Sequence, residues 1–307
     1  MRNMKNMTTM KTATARLTGA DLAFAILNYA FLSLVLMIAA YPLWFVLIAS
    51  FSDPHLVWGG KVWIVPQGFN LEGYRNIISN PNIAIGYRNS VLYTAVGTAL
   101  NLFMTITAAY PLSRKDFGPR HGLTLLYTVT MFFSGGLIPT YLLVKSLGLI
   151  NTFWAMILPN AVAFYYIVIT RTYFQTSIPE ELWESASLEG CSNVRFLRSI
   201  VIPLSAPIIA VMTLFYSVGH WNSYFNGLIY LTQKNRFPLQ LILREILILG
   251  QMQDTIITDV LEAATLQRIS ESIKYGVIIV ASLPVLMLYP LVQRHFVKGI
   301  MIGALKG

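Results

Sequence analysis

Charge-free stretches dominate the pattern of this chain. Six windows, 22–52, 89–113, 121–144, 146–170, 199–233 and 275–293, contain no Asp, Glu, Lys or Arg and run from 19 to 35 residues. Each can supply the roughly 20 residues that an α-helix needs to cross a hydrocarbon core. Inside them the apolar runs are nearly continuous, as at 32–38 and 277–280. Strands of a membrane barrel would instead alternate over about ten residues. Only helices and closed barrels satisfy every backbone group in lipid. The pattern therefore predicts an all-α integral membrane protein with six transmembrane helices.

Composition sharpens this picture. Of the 307 residues, 55% are hydrophobic and only 11% charged, against about 25% charged in soluble domains. That makes a water-soluble globular enzyme the least favoured reading. The net charge of +9 is better read as Lys and Arg facing the cytoplasm and anionic lipid than as a nucleic-acid surface. One cysteine, Cys191, excludes an intrachain disulfide framework. Arg2, Lys5, Lys11 and Arg16 give residues 1–21 the look of a signal-peptide start, but the apolar window that follows is far longer than a signal sequence uses. It is expected to stay as the first membrane helix. With no internal repeat or linker, 1–307 reads as a single domain.

Six crossings put both ends on one side. The segments 1–21, 114–120, 171–198 and 294–307 hold 13 Lys and Arg, against 9 in 53–88, 145 and 234–274. The bias places both termini in the cytoplasm. The outer segment 53–88, with Trp58, Trp63 and several Gly and Pro, reads as an irregular loop. The outer segment 234–274 reads as partly helical and amphipathic. Both either pack on the helix ends or form part of a docking surface for an external protein.

The cytoplasmic segment 177–198 carries a local program. Ser177 and Glu180 have capping-box spacing. Pro179 is tolerated in a first turn, and Glu180, Glu181 and Glu184 suit the positive end of a helix. Leu182, Trp183, Ala186 and Leu188 give an apolar face. Gly190 is placed to end the helix in a left-handed turn, with Cys191 a small residue beside it. Ser192 can cap a second short helix through Arg198. The residues predict two cytoplasmic helices, which either pack on their own protein or face a soluble partner.

Glu184-Ser185-Ala186, then Gly190, Ile200 and Ile202-Pro203, resemble the EAA loop of ABC importer permeases. Ser185 stands for an Ala and Ile202 for a Leu. Phe296-Val297-Lys298-Gly299 and Gly303-Ala304-Leu305-Lys306-Gly307 resemble the tail of the carbohydrate-uptake, MalG-like branch. Trp221-Asn222-Ser223-Tyr224-Phe225 resembles its fifth helix. The likeness covers nearly the full chain and is strongest toward oligosaccharide and polygalacturonan-type permeases. It implies a type I ABC importer fold in the bacterial cell membrane. It implies a second permease subunit, two ATPase subunits and an extracytoplasmic solute-binding protein as partners. ATP and Mg would belong to the ATPases. Glu184, Ala186, Gly190, Ile200 and Pro203 would form the coupling element, and Lys298 and Lys306 a tail reaching the ATPases.

The remaining chemistry is sparse. Gly59-Gly60-Lys61 lacks the spacing of a phosphate-binding loop. His55, His121, His220 and His295 are scattered without metal-ligand spacing, so no cofactor is expected on this chain. A stand-alone sugar carrier or channel is the rival reading, but the windows lack the ionisable residues that ion-driven carriers place in the membrane. A polytopic enzyme would need clustered acid–base groups. Neutral polar residues do occur, at Asn28, Asn101, Asn160, His220, Asn222 and Asn226, and suit interhelical hydrogen bonds. On a continuous helix, Gly219, Asn222, Ser223 and Asn226 would share a face. With Tyr224, that face either lines a sugar path or makes a tight helix crossing.

Overall fold

The computed structural model describes residues 19–252, 273–290 and 293. Among them every regular element is helical. Three helices are long and apolar enough to cross a membrane, or up to six spans if each bent helix pair counts as one.

The helix α1, Gly19–Ser50, is apolar along its length and buries only Ile48, Ala49 and Ser50. The segment after it is more ordered than the expected irregular loop. Asp53 accepts from the His55 N–H at 2.9 Å to cap α2, Pro54–Trp58. Tyr74, on α3 (Glu72–Ser79), donates to Ser50 Oγ at 2.8 Å. Phe51 stacks on Phe69 and Tyr74, closing the segment over the end of α1.

The centre is α4, Pro81–Ser113. It begins eight residues before the charge-free window because Asn80 caps it, accepting from Asn82 at 3.0 Å, with Pro81 in its first turn. Arg88 is thereby carried on the helix. The buried stripe of α4 runs Ile83, Gly86, Asn89, Ser90, Tyr93, Gly97, Asn101, Thr105, Ala109 and Leu112. That is helical spacing of mostly small and polar residues, while Val91, Leu92, Val96 and Phe103 point outward. Lipid solvates apolar side chains, so close helix contact in a membrane falls to small and hydrogen-bonding ones.

Three of the four remaining windows are broken. Helices α5, Arg120–Phe132, and α6, Leu137–Ser146, meet at 112°. Gly136, at φ +84°, makes the corner in a backbone region that a β-carbon disfavours. The next window becomes two short 3₁₀ turns, Phe153–Met156 and Leu158–Asn160, then α7, Phe164–Ser177, bent by 56°. Helix α8, Glu180–Leu188, and α9, Asn193–Phe196, follow. A wide π-type turn at Leu197–Val201 leads to α10, Ile202–Leu204. An 82° bend gives α11, Ala206–Trp221. Pro203 and Pro207 flank that bend and remove two backbone donors from it. Then come α12, Tyr224–Tyr230, α13, Leu239–Met252, and α14, Ile273–Pro290.

Two apolar clusters form the interior. One gathers Ile83, Met156, Trp221, Leu239, Leu241 and Val277. The other gathers Tyr110, Ile167, Phe196, Val201, Met212 and Tyr216. Between them α4 meets α11 through a polar ladder. Thr98 Oγ1 lies 3.2 Å from Ser217 Oγ, and Thr105 Oγ1 lies 2.6 Å from the Tyr216 hydroxyl. Asn101 is the hub. Its Nδ2 donates to the carbonyls of Asn160 and Ala161 at 2.7 and 2.9 Å, and its Oδ1 lies 2.6 Å from His220 Nε2. Because Nδ2 donates, Oδ1 accepts and His220 carries its proton on Nε2. Gly97 admits the imidazole: a β-carbon there would sit 2.5 Å from the ring.

Asn101→Leu leaves two carbonyls and an imidazole without partners, at about 1–3 kcal/mol for each buried group. Gly97→Ala forces the ring out of its seat. Both variants are expected to lower the thermal midpoint of the purified transporter. Wild-type midpoints in both would remove the hub from the account.

Candidate functional site: a helical elbow and a polar groove

The segment after α7 folds into an elbow. The expected capping box does not form. Pro179 occupies the N-cap position without a side-chain hydrogen bond. Glu180, which was to reach back to the cap, pairs instead with Lys115 in the turn after α4. An ion pair across elements has replaced a local hydrogen bond to the backbone. At the other end Gly190 adopts φ +74°, as its position predicts. The N–H of Cys191 bonds the Ala186 carbonyl and that of Gly190 bonds Ser187, both at 3.0 Å, which closes α8. Ser192 Oγ accepts from the Arg195 N–H at 3.4 Å and starts α9. The second arm does not stop at Arg198 but runs on to Leu204.

One face of the elbow is anchored. Phe196 is only 1% exposed and meets Trp183 edge-on with 5.1 Å between ring centres. The guanidinium of Arg114 lies 4.0 Å over the Trp183 ring. Arg114 also donates to both oxygens of Asp116, at 3.0 and 2.9 Å, and these bonds hold the Asp116 carboxyl below its usual range. The Tyr110 hydroxyl donates to Asn193 Oδ1 at 3.2 Å. Ala186 and Ile200 pack half-buried against the same cluster. Beneath the first turn of α8 a cavity of about 620 Å³ opens, lined by Lys115, Arg171 and Glu180.

The other face is bare. Leu188 is 90% exposed and Val194 76%, and Leu182, Glu181, Glu184 and Glu189 lie beside them in solvent. Glu184 has no ion-pair partner among the described residues. Pro203 is exposed at the far end of the second arm. Lys298 and Lys306 lie outside the described residues.

The expected polar face on the fifth helix does not form as drawn. Helix α11 ends at Trp221, Asn222 caps it, and α12 restarts at Tyr224. His220 turns inward to Asn101. Asn222 and Tyr224 are exposed, and Ser223 and Asn226 are half-buried. Asn222 Nδ2 bonds the Val218 carbonyl at 3.0 Å, and Ser223 Oγ bonds the His220 carbonyl at 2.6 Å. These side chains tie off the helix end that the break leaves open. The sequence reading passed over Gln240 and Arg244. They form an i, i+4 polar pair within the apolar run of α13. Gln240 Nε2 reaches Asn222 Oδ1 at 3.5 Å, and the Arg244 guanidinium lies 5.7 Å from the Tyr224 ring centre. Tyr224, Gln240 and Arg244 line a groove of about 490 Å³.

An all-helical membrane core with a half-anchored helical elbow is the architecture of an ABC importer permease. Residues 83–302 match the family model of the binding-protein-dependent transport system inner membrane component, and the chain belongs to that family. It is 40% identical to the protein LplC of Bacillus subtilis (strain 168), over 94% of this chain and 97% of that protein. It is 39% identical to the polygalacturonan/rhamnogalacturonan transport system permease protein YtcP of the same strain, over 92% and 98%. The fold matches a chain from the crystal structure of a bacterial ABC transporter involved in the import of the acidic polysaccharide alginate. There the TM-score is 0.82 and the identity 27%, over 91% of this chain and 98% of that chain.

Phe196→Ala removes an aromatic ring worth about 3–5 kcal/mol in a packed interior. It should loosen the elbow, so that the half-buried, free Cys191 is alkylated faster in the purified transporter. Arg114→Gln should act the same way by a smaller factor. Unchanged alkylation rates would mean that these contacts do not hold the elbow.

Proposed function

We propose that this chain is one of two different permease subunits of an ATP-driven importer that carries an oligosaccharide into the bacterial cytoplasm. The elbow carries the reading. Its anchored face joins it to α4, and its bare face offers apolar Leu188 and Val194 ringed by Glu181, Glu184 and Glu189. That surface suits a soluble ATPase with an apolar cleft edged by basic groups. Glu184 is the carboxylate assigned to such a group, and Lys298 and Lys306 supply a second contact from the tail. ATP and Mg are bound and turned over by two ATPase subunits, so this chain is not itself an enzyme.

The path of the motion follows the covalent chain. Displacement of α8 at the bare face passes through Gly190 to α9. Ala186, Ile200 and Phe196 keep the two arms together. The second arm runs through Pro203 into the corner before α11. Helix α11 carries Tyr216, Ser217 and His220 against α4 and ends at the Asn222 break. A push on the elbow thus reaches the polar groove through α11. The cavity under α8 gives it room to travel.

An oligosaccharide is favoured because sugars offer hydroxyl arrays and apolar ring faces. Asn222, Ser223, Asn226 and Tyr224 supply matching amide, hydroxyl and aromatic groups without fixed charge. Two relatives named for polysaccharide transport point the same way. A second permease completes the path, and the apolar face of α1 suits contact with it or with lipid. An extracytoplasmic binding protein delivers the sugar. Both termini lie in the cytoplasm, and the whole chain acts as one transmembrane domain.

Two measurements test this. In sealed cells, a membrane-impermeant thiol reagent should label Asn70→Cys and spare Cys191; the reverse would invert the topology. In proteoliposomes holding the complete transporter, Glu184→Ala should lose sugar-stimulated ATP hydrolysis or ATPase co-purification. The cost is about 3–5 kcal/mol if its partner is buried. Gly190→Pro should cost more, because proline fixes φ near −65° where the elbow needs +74°. Wild-type coupling in both variants would dismiss the elbow as the coupling element.

A further inference from the structure

Among the described residues, the groove between α12, α13 and α14 holds one full charge, Arg244, among apolar walls that include Leu247 and Val277. Among the described residues no Asp or Glu lines it. Glu245, the next residue, lines a separate cavity shared with Lys234. Among the described residues no carboxylate lies within ion-pair distance of Arg244. The guanidinium sits 5.7 Å from the Tyr224 ring centre, within the reach of a cation–π contact. Gln240, one turn back on α13, bridges to Asn222, and Ser282 faces the groove from α14.

These groups have a combined chemistry. A guanidinium presents parallel N–H donors that match both oxygens of a carboxylate. An aromatic ring covers the apolar face of a pyranose. Side-chain amides read vicinal hydroxyls. A neutral sugar would use the ring and the amides and leave the cation unmatched. A sugar unit that bears its own carboxylate uses all of them.

We propose that this groove is a uronate-reading subsite: Arg244 binds the carboxylate of a uronic acid unit, Tyr224 lies against its ring, and Gln240, braced by Asn222, takes its hydroxyls. The inference rests on the oligosaccharide-importer reading and adds the charge class of the cargo. The phosphatidylglycerol headgroup shares the charge and carries a diol but lacks the pyranose ring that Tyr224 serves.

The test uses the complete importer, reconstituted with its own partner permease, ATPases and binding protein. The liposomes are phosphatidylcholine with or without phosphatidylglycerol. Trigalacturonate, its trimethyl ester and neutral galactotriose are the probes. ATP-driven kcat/KM is measured for each, per assembled complex. Wild type should take up trigalacturonate in preference to the ester. Arg244→Gln should reduce the ratio of the two at least about tenfold, as expected for a lost charge-assisted hydrogen bond. Arg244→Lys should keep part of the ratio. The binding protein is common to all variants, so its own preference cancels. An unchanged ratio overturns the subsite, as do equal losses for both probes. So does an effect of Arg244 that vanishes without phosphatidylglycerol. Wild-type uptake of galactotriose but not trigalacturonate overturns the subsite and leaves the importer reading standing. No uptake of any of the three fails both.

Discussion

The rest of the chain depends on one requirement: backbone groups opened by a broken helix must be satisfied away from water. In lipid each unsatisfied group costs several kcal/mol. The turn before α7 frees the carbonyls of Asn160 and Ala161, and Asn101 covers both from the middle of α4. With its remaining oxygen it fixes His220 and so the end of α11. One side chain thus sets three elements at once. Gly97 gives the approach its room, because a β-carbon there would collide with His220, and Ser90 Oγ in turn accepts from the Leu239 N–H at 2.8 Å to tie α13 to α4. Val91, Leu92, Val96 and Phe103 of α4 are turned outward and take no part in this arrangement.

That inversion explains what could be read from the sequence. The charge-free windows identified an all-helical membrane chain because lipid exposure excludes ions wherever a helix crosses. They could not mark where helices bend. Gly136 is one of 20 glycines, and the windows do not single it out for the positive φ it adopts. They also misjudged ends. Helix α4 starts at Pro81 because Asn80 and Pro81 form a start signal, while Arg88 is tolerated on the helix. The polar residues of the fifth window suggested a shared face by their spacing alone. The break at Asn222 divides them, sending His220 into the interior and leaving Asn222 and Tyr224 outside.

The elbow was the most legible part, for a local reason. Gly190 and Ser192 act on backbone groups within four residues, so their roles follow from sequence neighbours. The departure at Glu180 also has a physical cause. A capping box competes with any nearby cation, and Lys115 arrives from a turn 65 positions away. Long-range contacts of this kind, like Gln240 with Asn222 and Arg244 with Tyr224, leave no periodic trace. Their only sign was a polar pair one helical turn apart in an apolar run.

The wide turn at Leu197–Val201 sets a phase. The N–H of Ile202 bonds the carbonyl of Leu197, five residues back rather than four. The turn therefore absorbs one residue beyond the α-helical repeat, and each residue of an α-helix advances the angle by about 100°. Surface connections usually accept insertions and deletions freely. Here a gain or loss of one residue between Gly190 and Pro203 would swing the bare face of the elbow by that angle relative to α11. In descent, this stretch should hold its length.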